Sequence, residues 1–187
     1  TVIVTLSNPT NAVLGSDVSS IVGNGYAFAA IKADGSVVTW GSSSSGGDSS
    51  SVESSLSSDV SSIVSTGTAF AAIKTDGSVV SWGSANTGGD SSAVDLSSGV
   101  SSIVSNDSAF AAIKADGSVV TWGGDNYGGD SSSVSSDLSS GVSSIVGAKY
   151  AFAALKEDGS VVTWGFGSNS SDHSNFGGDS SSVASSL

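Results

Sequence analysis

Four times along the chain a short β-branched run, Val-Ser-Ser-Ile-Val, is followed by a polar link and then by two apolar runs separated by Asp-Gly. In the third unit the runs are Val100 to Val104, Ala109 to Lys114 and Ser118 to Trp122, with Ala115-Asp116-Gly117 between the last two. Short runs rich in Val, Ile and aromatic residues, bounded by Ser, Asn, Asp and Gly, predict strands. Asp-Gly between two apolar runs predicts a hairpin with a two-residue type I′ turn. Counting outward from Asp116 and Gly117 then pairs Lys114 with Val119, Ile113 with Val120, Ala112 with Thr121 and Ala111 with Trp122. One face would carry Ala111, Ile113, Val120 and Trp122, and the other Phe110, Ala112, Lys114, Val119 and Thr121. Both faces are largely apolar, which predicts a sheet covered on both sides by neighbouring units.

The pattern recurs almost verbatim, as AFAAIKADGSVVTWG at 27–41 and 109–123, AFAAIKTDGSVVSWG at 69–83 and AFAALKEDGSVVTWG at 151–165. Trp40, Trp82, Trp122 and Trp164 lie 42, 40 and 42 residues apart, a period typical of stacked or radially arranged units. The chain divides into an N-terminal strand and partial repeat (1–17), repeat 1 (18–59), repeat 2 (60–99), repeat 3 (100–141) and repeat 4 (142–187), the last with a loop insertion at 166–176.

Past each Trp-Gly comes Gly-Gly-Asp, and there the apolar period changes. Val52 and Leu56, Val134 and Leu138, and Val183 and Leu187 are each four apart, which predicts one or two helical turns capped by Asp48, Asp130 and Asp179. The mediocre helix propensity of serine keeps an edge strand open as the alternative. The second unit has a shorter version, Val94 and Leu96 after Asp90. Residues 10–18 resemble 92–100, so they read as the tail of a preceding unit led by a strand over Thr1 to Leu6. Such a segment could cap the array, close a ring or be donated to another subunit.

The block Val-Ser-Ser-Ile-Val, then Ala-Phe-Ala-Ala-Ile-Lys-x-Asp-Gly-Ser-Val-Val-Thr-Trp-Gly, then Gly46, Gly88 or Gly128 six residues past Trp, resembles the repeat of the regulator of chromosome condensation family. The resemblance implies β-propeller blades. The fold class expected is therefore mainly β: four tandem repeats of a strand, a hairpin and a short helical turn, either propeller-like or stacked as an open solenoid.

The chain has 187 residues, no cysteine and no methionine, so no disulfide and no cysteine-ligated zinc can support it. Its formal net charge is −12, with five lysines and no arginine. That argues against nucleic acid as a partner, which needs clustered Lys and Arg, and against an anionic membrane surface. No apolar run is long enough for a spanning helix, and membrane insertion is not expected. The start at Thr1 instead of methionine is expected of a processed or excised polypeptide.

Candidate chemistry is sparse. The turn residues Asp34, Asp76, Asp116 and Asp158 are accounted for by turn geometry, and no Asp-x-Asp-x-Asp-Gly loop with a distal Glu is present, so no metal or other cofactor is assigned. One histidine, His173, lies in the insertion, and no Gly-x-Ser-x-Gly elbow occurs in a strand-to-helix context, so no catalytic residue is assigned. Trp40, Trp82, Trp122 and Trp164 are either core residues or platforms for sugar rings, and His173 is a candidate contact residue. Asn106 and Asn169 match the N-glycosylation pattern.

These features lead to the expectation of a non-enzymatic, extracellular or cell-surface structural repeat protein that self-associates into a fibre or layer. The alternative is a carbohydrate-binding or adhesin module with glycan partners.

Overall fold

The computed structural model describes residues 17–166 and 177–180. Three antiparallel strands form each of four sheets: β1 (Val18–Gly23), β2 (Ala27–Lys32) and β3 (Val37–Gly41); β4 (Val60–Ser65), β5 (Ala69–Lys74) and β6 (Val79–Gly83); β7 (Val100–Ser105), β8 (Ala109–Lys114) and β9 (Val119–Gly123); and β10 (Val142–Gly147), β11 (Ala151–Lys156) and β12 (Val161–Gly165). In every sheet the middle strand pairs with both others in simple meander order.

The hairpin register differs by one residue from that expected of a two-residue loop. Ile113 faces Val119, Ala112 faces Val120, Ala111 faces Thr121 and Phe110 faces Trp122. The loop is Ala115-Asp116-Gly117: Gly117 N donates to Lys114 O at 2.9 Å, Lys114 N donates to Ser118 O at 2.8 Å, and only Gly117 has positive φ, +77°. This is a type I turn followed by a left-handed glycine, a three-residue hairpin loop. Asp116 favours it because its Oδ1 accepts both Ser118 N, at 2.9 Å, and Ser118 Oγ, at 2.6 Å. The shift re-sorts the faces. One carries Phe110, Ala112, Val120 and Trp122, and the other carries Ala109, Ala111, Ile113, Val119 and Thr121.

The first strand of each sheet is bulged near its start, where Val100 pairs with Lys114 but Ser102 with Ile113. Ser101 sits in the bulge, and its hydroxyl donates to the Ile113 carbonyl at 2.8 Å, as Ser19, Ser61 and Ser143 do in their sheets. The first serine of Val-Ser-Ser-Ile-Val thus satisfies a carbonyl that the bulge takes out of the ladder.

The core lies between sheets. The face of β5 bearing Ala69, Ala71 and Ile73, with Val64 and Val79, receives Phe110, Ala112 and Trp122 of the next sheet, with Val100, Ile103 and Val120; Leu96 of the link closes the gap. The same small face and large face meet between the first and second sheets and between the third and fourth. Alanines opposite a Phe–Trp pair let two sheets approach closely without voids. Among the described residues no such core joins the fourth sheet to the first.

In the first and third units the links form the short helical turns that the i, i+4 spacing implied, in 3₁₀ form. Ser50–Leu56 and Ser132–Val134 form 3₁₀ turns, and the link after Asp90 forms none. Their N-cap positions are Ser49 and Ser131, whose side chains make no cap bond and instead accept the hydroxyls of Thr39 and Thr121, each at 3.0 Å. Asp48 and Asp130, one residue earlier, accept the backbone N–H of Ser50 and Ser132 at 2.9 and 2.8 Å. A serine-rich segment with only two or three apolar anchors lacks the propensity to extend an α-helix. Val183, Leu187, residues 1–16 and the insertion beyond Phe166 as far as residue 176 lie outside the described residues.

Candidate functional site

Each Phe–Trp pair is built by the corrected register, which places the two rings opposite each other on neighbouring strands. Their centroids are 5.3 Å apart for Phe28 and Trp40, 5.3 Å for Phe70 and Trp82, 5.1 Å for Phe110 and Trp122, and 5.4 Å for Phe152 and Trp164, all stacked. Three of the four tryptophans are buried at sheet junctions, and their indole N–H groups donate across the junction: Trp82 to Gly46 O at 3.0 Å, Trp122 to Gly88 O and Trp164 to Gly128 O, each at 3.1 Å. Their ring faces are covered by protein and closed to a sugar. Trp40 is partly exposed.

The difference lies in position along the array. Phe28 is 46% exposed, whereas Phe70 and Phe110 are fully buried; Ile21 is 56% exposed, whereas Ile63, Ile103 and Ile145 are buried. Val38 is also exposed, so the outer face of the first sheet presents Phe28, Ile21, Val38 and Trp40 together. At the other end Val146 is 67% and Leu155 44% exposed, and they stand where Ile31, Ile73 and Ile113 and the packed Val22, Val64 and Val104 stand in the inner sheets. The two terminal faces are therefore apolar, and they differ in kind: one large and aromatic, one small and aliphatic.

A second cluster breaks the repeat. Tyr127, Tyr150 and Phe166 bring their ring centroids to within 4.8, 5.9 and 6.5 Å of one another, and Lys149 Nζ lies 5.1 Å from the Tyr150 ring centroid. All three rings are partly exposed. The equivalent positions hold Ser45 and Thr87, Tyr26, Thr68 and Ser108, and Ser42, Ser84 and Gly124. The sequence carried this signal as two aromatic residues found in no other unit, Tyr127 and Phe166, beside a tyrosine, Tyr150, that the first unit shares as Tyr26.

The remaining candidates have structural roles. Asn106 is buried; its amide nitrogen donates to Tyr127 O at 2.6 Å and its oxygen accepts Ser108 N and Ala109 N at 2.8 Å. His173 and Asn169 lie outside the described residues. The carboxylates of Asp34, Asp76, Asp116 and Asp158 are engaged by the serine two residues on, whose hydroxyl and N–H hold them below the usual aspartate range. Among the described residues no three acidic or histidine side chains gather where they could hold a metal ion, and no helix is long and apolar enough to cross a membrane.

Four three-stranded antiparallel meanders joined face to face match solved structures over about four fifths of the chain. Prp20p from Saccharomyces cerevisiae superposes with a TM-score of 0.56 over 80% of this chain and 44% of its own, at 16% identity. A yeast structure described as RCC1 (Prp20) with bound Kap60 gives 0.53 over 79% and 43%, also at 16% identity. The fold is that of the RCC1-like β-propellers. The ectodomain of the receptor kinase CR4 from Physcomitrella patens gives 0.53 over 79% of this chain and 38% of its own, at 18% identity. The chain thus spans less than half the length of these RCC1-like structures. No family model and no curated protein sequence matches it, so the likeness is one of fold.

Proposed function

We propose that this is a non-enzymatic structural repeat protein, acting outside the cell or at its surface, that works by associating with further copies of itself. The observation that carries the reading is the contrast between buried inner faces and exposed terminal ones: Phe28 and Ile21 at one end, Val146 and Leu155 at the other. Contiguous apolar surface on an otherwise serine-rich, acidic body marks a protein-contact surface. Composition supports an extracellular setting, because a chain without Cys or Met offers no thiol or thioether to oxidise. Prp20p was studied for binding to Gsp1p and histones. A chain of net charge −12 without arginine makes nucleic acid an unsuitable partner and leaves protein contact as the common theme. Sedimentation of the protein across a concentration series, with electron microscopy of the concentrated material, tests the reading: growth of mass with concentration supports it, and a strictly monomeric chain overturns it.

The aromatic trio favours a second reading, glycan binding at Tyr127, Tyr150 and Phe166, since half-exposed rings can stack on sugar faces. Binding on a glycan array that is lost in a folded Tyr150→Ala protein would establish it. Silence across a broad array would dismiss it.

A further inference from the structure

The three internal junctions share one set of bonds. The first residue of each sheet donates its N–H to a turn glycine of the sheet before it: Val60 to Gly35 O, Val100 to Gly77 O and Val142 to Gly117 O, all at 3.0 Å. The turns between first and second strands form a ladder in the opposite sense, Gly25 N to Gly67 O at 3.3 Å, Gly67 N to Asp107 O at 2.9 Å and Asp107 N to Lys149 O at 3.2 Å. The indole bond and the meeting of small with large face complete the junction.

The terminal sheets hold the two halves of a fourth junction. Val18 has the donor's place in the first sheet and Gly159 the acceptor's place in the fourth. A Cβ built on Gly35, Gly77 or Gly117 would come within 2.7, 2.9 or 2.8 Å of the backbone nitrogen of Asp59, Gly99 or Gly141, the residue that leads into the following sheet, whereas one built on Gly159 meets nothing within 4 Å. Lys149 and Gly25 are the two ends of the turn ladder. Trp40 Nε1 has no acceptor among the described residues, unlike the other three indoles. Phe28, Ile21 and Trp40 form the large face, and Ala151, Ala153, Leu155 and Val146 the small one.

The geometry points to head-to-tail joining of two copies of this chain, the fourth sheet of one receiving the first sheet of the next in the register of the internal junctions. This rests on the self-association proposed above and specifies its surfaces. Val18 N is placed to donate to Gly159 O, Lys149 N to Gly25 O, and Phe28 to cover Ala151 and Ala153. Joining like to like is disfavoured, because two aromatic faces would clash and two small ones would leave voids. The contact is heterologous, so it repeats until a ring closes or a filament grows. It is also weaker than the first two internal junctions, because Gly23, like Gly147 at the third, lacks the hydroxyl through which Ser65 and Ser105 reach a carbonyl of the preceding sheet, at 3.0 and 2.8 Å.

Complementation tests it. One variant blocks the large face, Phe28→Asp, with Ile21→Lys as a second choice should the first unfold; the other blocks the small face, Leu155→Asp, with Val146→Lys in reserve. Thermal melts followed by circular dichroism establish that each is folded. Sedimentation should show each variant alone as a monomer, and their equimolar mixture as a dimer that grows no further, since only one intact junction can form. If wild type associates but the Leu155 variant still pairs with itself, or if neither substitution alters its mass, the head-to-tail surfaces are wrong while self-association stands. If wild type stays monomeric at every concentration, the broader reading fails with them.

Discussion

The indole nitrogen of Trp122 donates to the carbonyl of Gly88 across the junction between the second and third sheets, at 3.1 Å. The two residues are 34 apart in sequence. Gly88 has φ of +99°, and a Cβ there would lie 2.5 Å from the Phe110 ring, so glycine alone lets this turn reach into the next sheet. A turn in one unit and an aromatic pair in the next thus form a single joint.

Trp122→Phe removes the donor, keeps a smaller aromatic ring and leaves a buried carbonyl unpaired. We expect a loss of about 1–3 kcal/mol, read from the urea midpoint at unchanged slope. Trp40→Phe, at a position with no acceptor among the described residues, should cost well under about 1 kcal/mol in dilute solution.

Gly88→Ala meets both left-handed strain and the Phe110 ring. Gly177 has nearly the same φ, +97°, but a Cβ there meets nothing within 4 Å. Gly177→Ala should therefore cost about 1–2 kcal/mol for conformation alone, and Gly88→Ala a further 1–3 kcal/mol, roughly, for overpacking. Equal costs at the two sites would show that the ring contact contributes nothing.

How much of this was legible in the sequence depends on the range of the interaction. The strands were, because Val-Ser-Ser-Ile-Val and Ala-Phe-Ala-Ala-Ile carry β-branched residues between polar breaks. The hairpin register was not, because Asp-Gly serves both a two-residue loop and a type I turn with a left-handed glycine. Ser118 held the discriminating signal, since only the longer loop lets Asp116 take both its N–H and its hydroxyl. The one or two helical turns of the links were legible in the Val-to-Leu spacing, but their 3₁₀ form and their serine N-caps were not, because the serine background has little helix propensity to hold a regular capped α-helix. The exposed terminal faces could not be read at all: Phe28 and Phe110 have identical sequence neighbours on either side, and differ only in whether a sheet lies before them.

Acid should destabilise the protein below the usual aspartate range. The carboxyls of Asp34, Asp76, Asp116 and Asp158 are held down by the serine hydroxyl and N–H two residues on, and those of Asp48, Asp90 and Asp130 mainly by the N–H. A carboxyl lowered on folding stabilises fully above its unfolded-state value, about 3.9, and the contribution is lost as pH falls through the lower folded-state value. At moderate salt, which screens the net negative charge, melting temperature should be level from pH 5 to pH 8, roughly, and fall below about pH 4. Removing the hydroxyls in a Ser36→Ala, Ser78→Ala, Ser118→Ala and Ser160→Ala protein brings the folded-state values back towards the unfolded one and should make that fall shallower.

Asn106 should carry no glycan in the folded protein, because its side chain is buried and its amide is committed to Tyr127 O and the N–H groups of Ser108 and Ala109. Asn106→Ala strands those groups and should cost about 2 kcal/mol or more. Intact-mass measurement of protein from a glycosylating host, beside a denaturation curve of the variant, checks both.

The second link is two residues shorter than its neighbours and lacks their 3₁₀ turn, yet Leu96 fills the same gap as Leu56 and Leu138. Length differences are absorbed entirely between sheets, and every joint sees the same chemistry on both sides. A gene of this kind can duplicate or drop a whole unit by unequal recombination and still encode joints that already fit. Heredity can set the number of blades while the physics of each joint stays fixed.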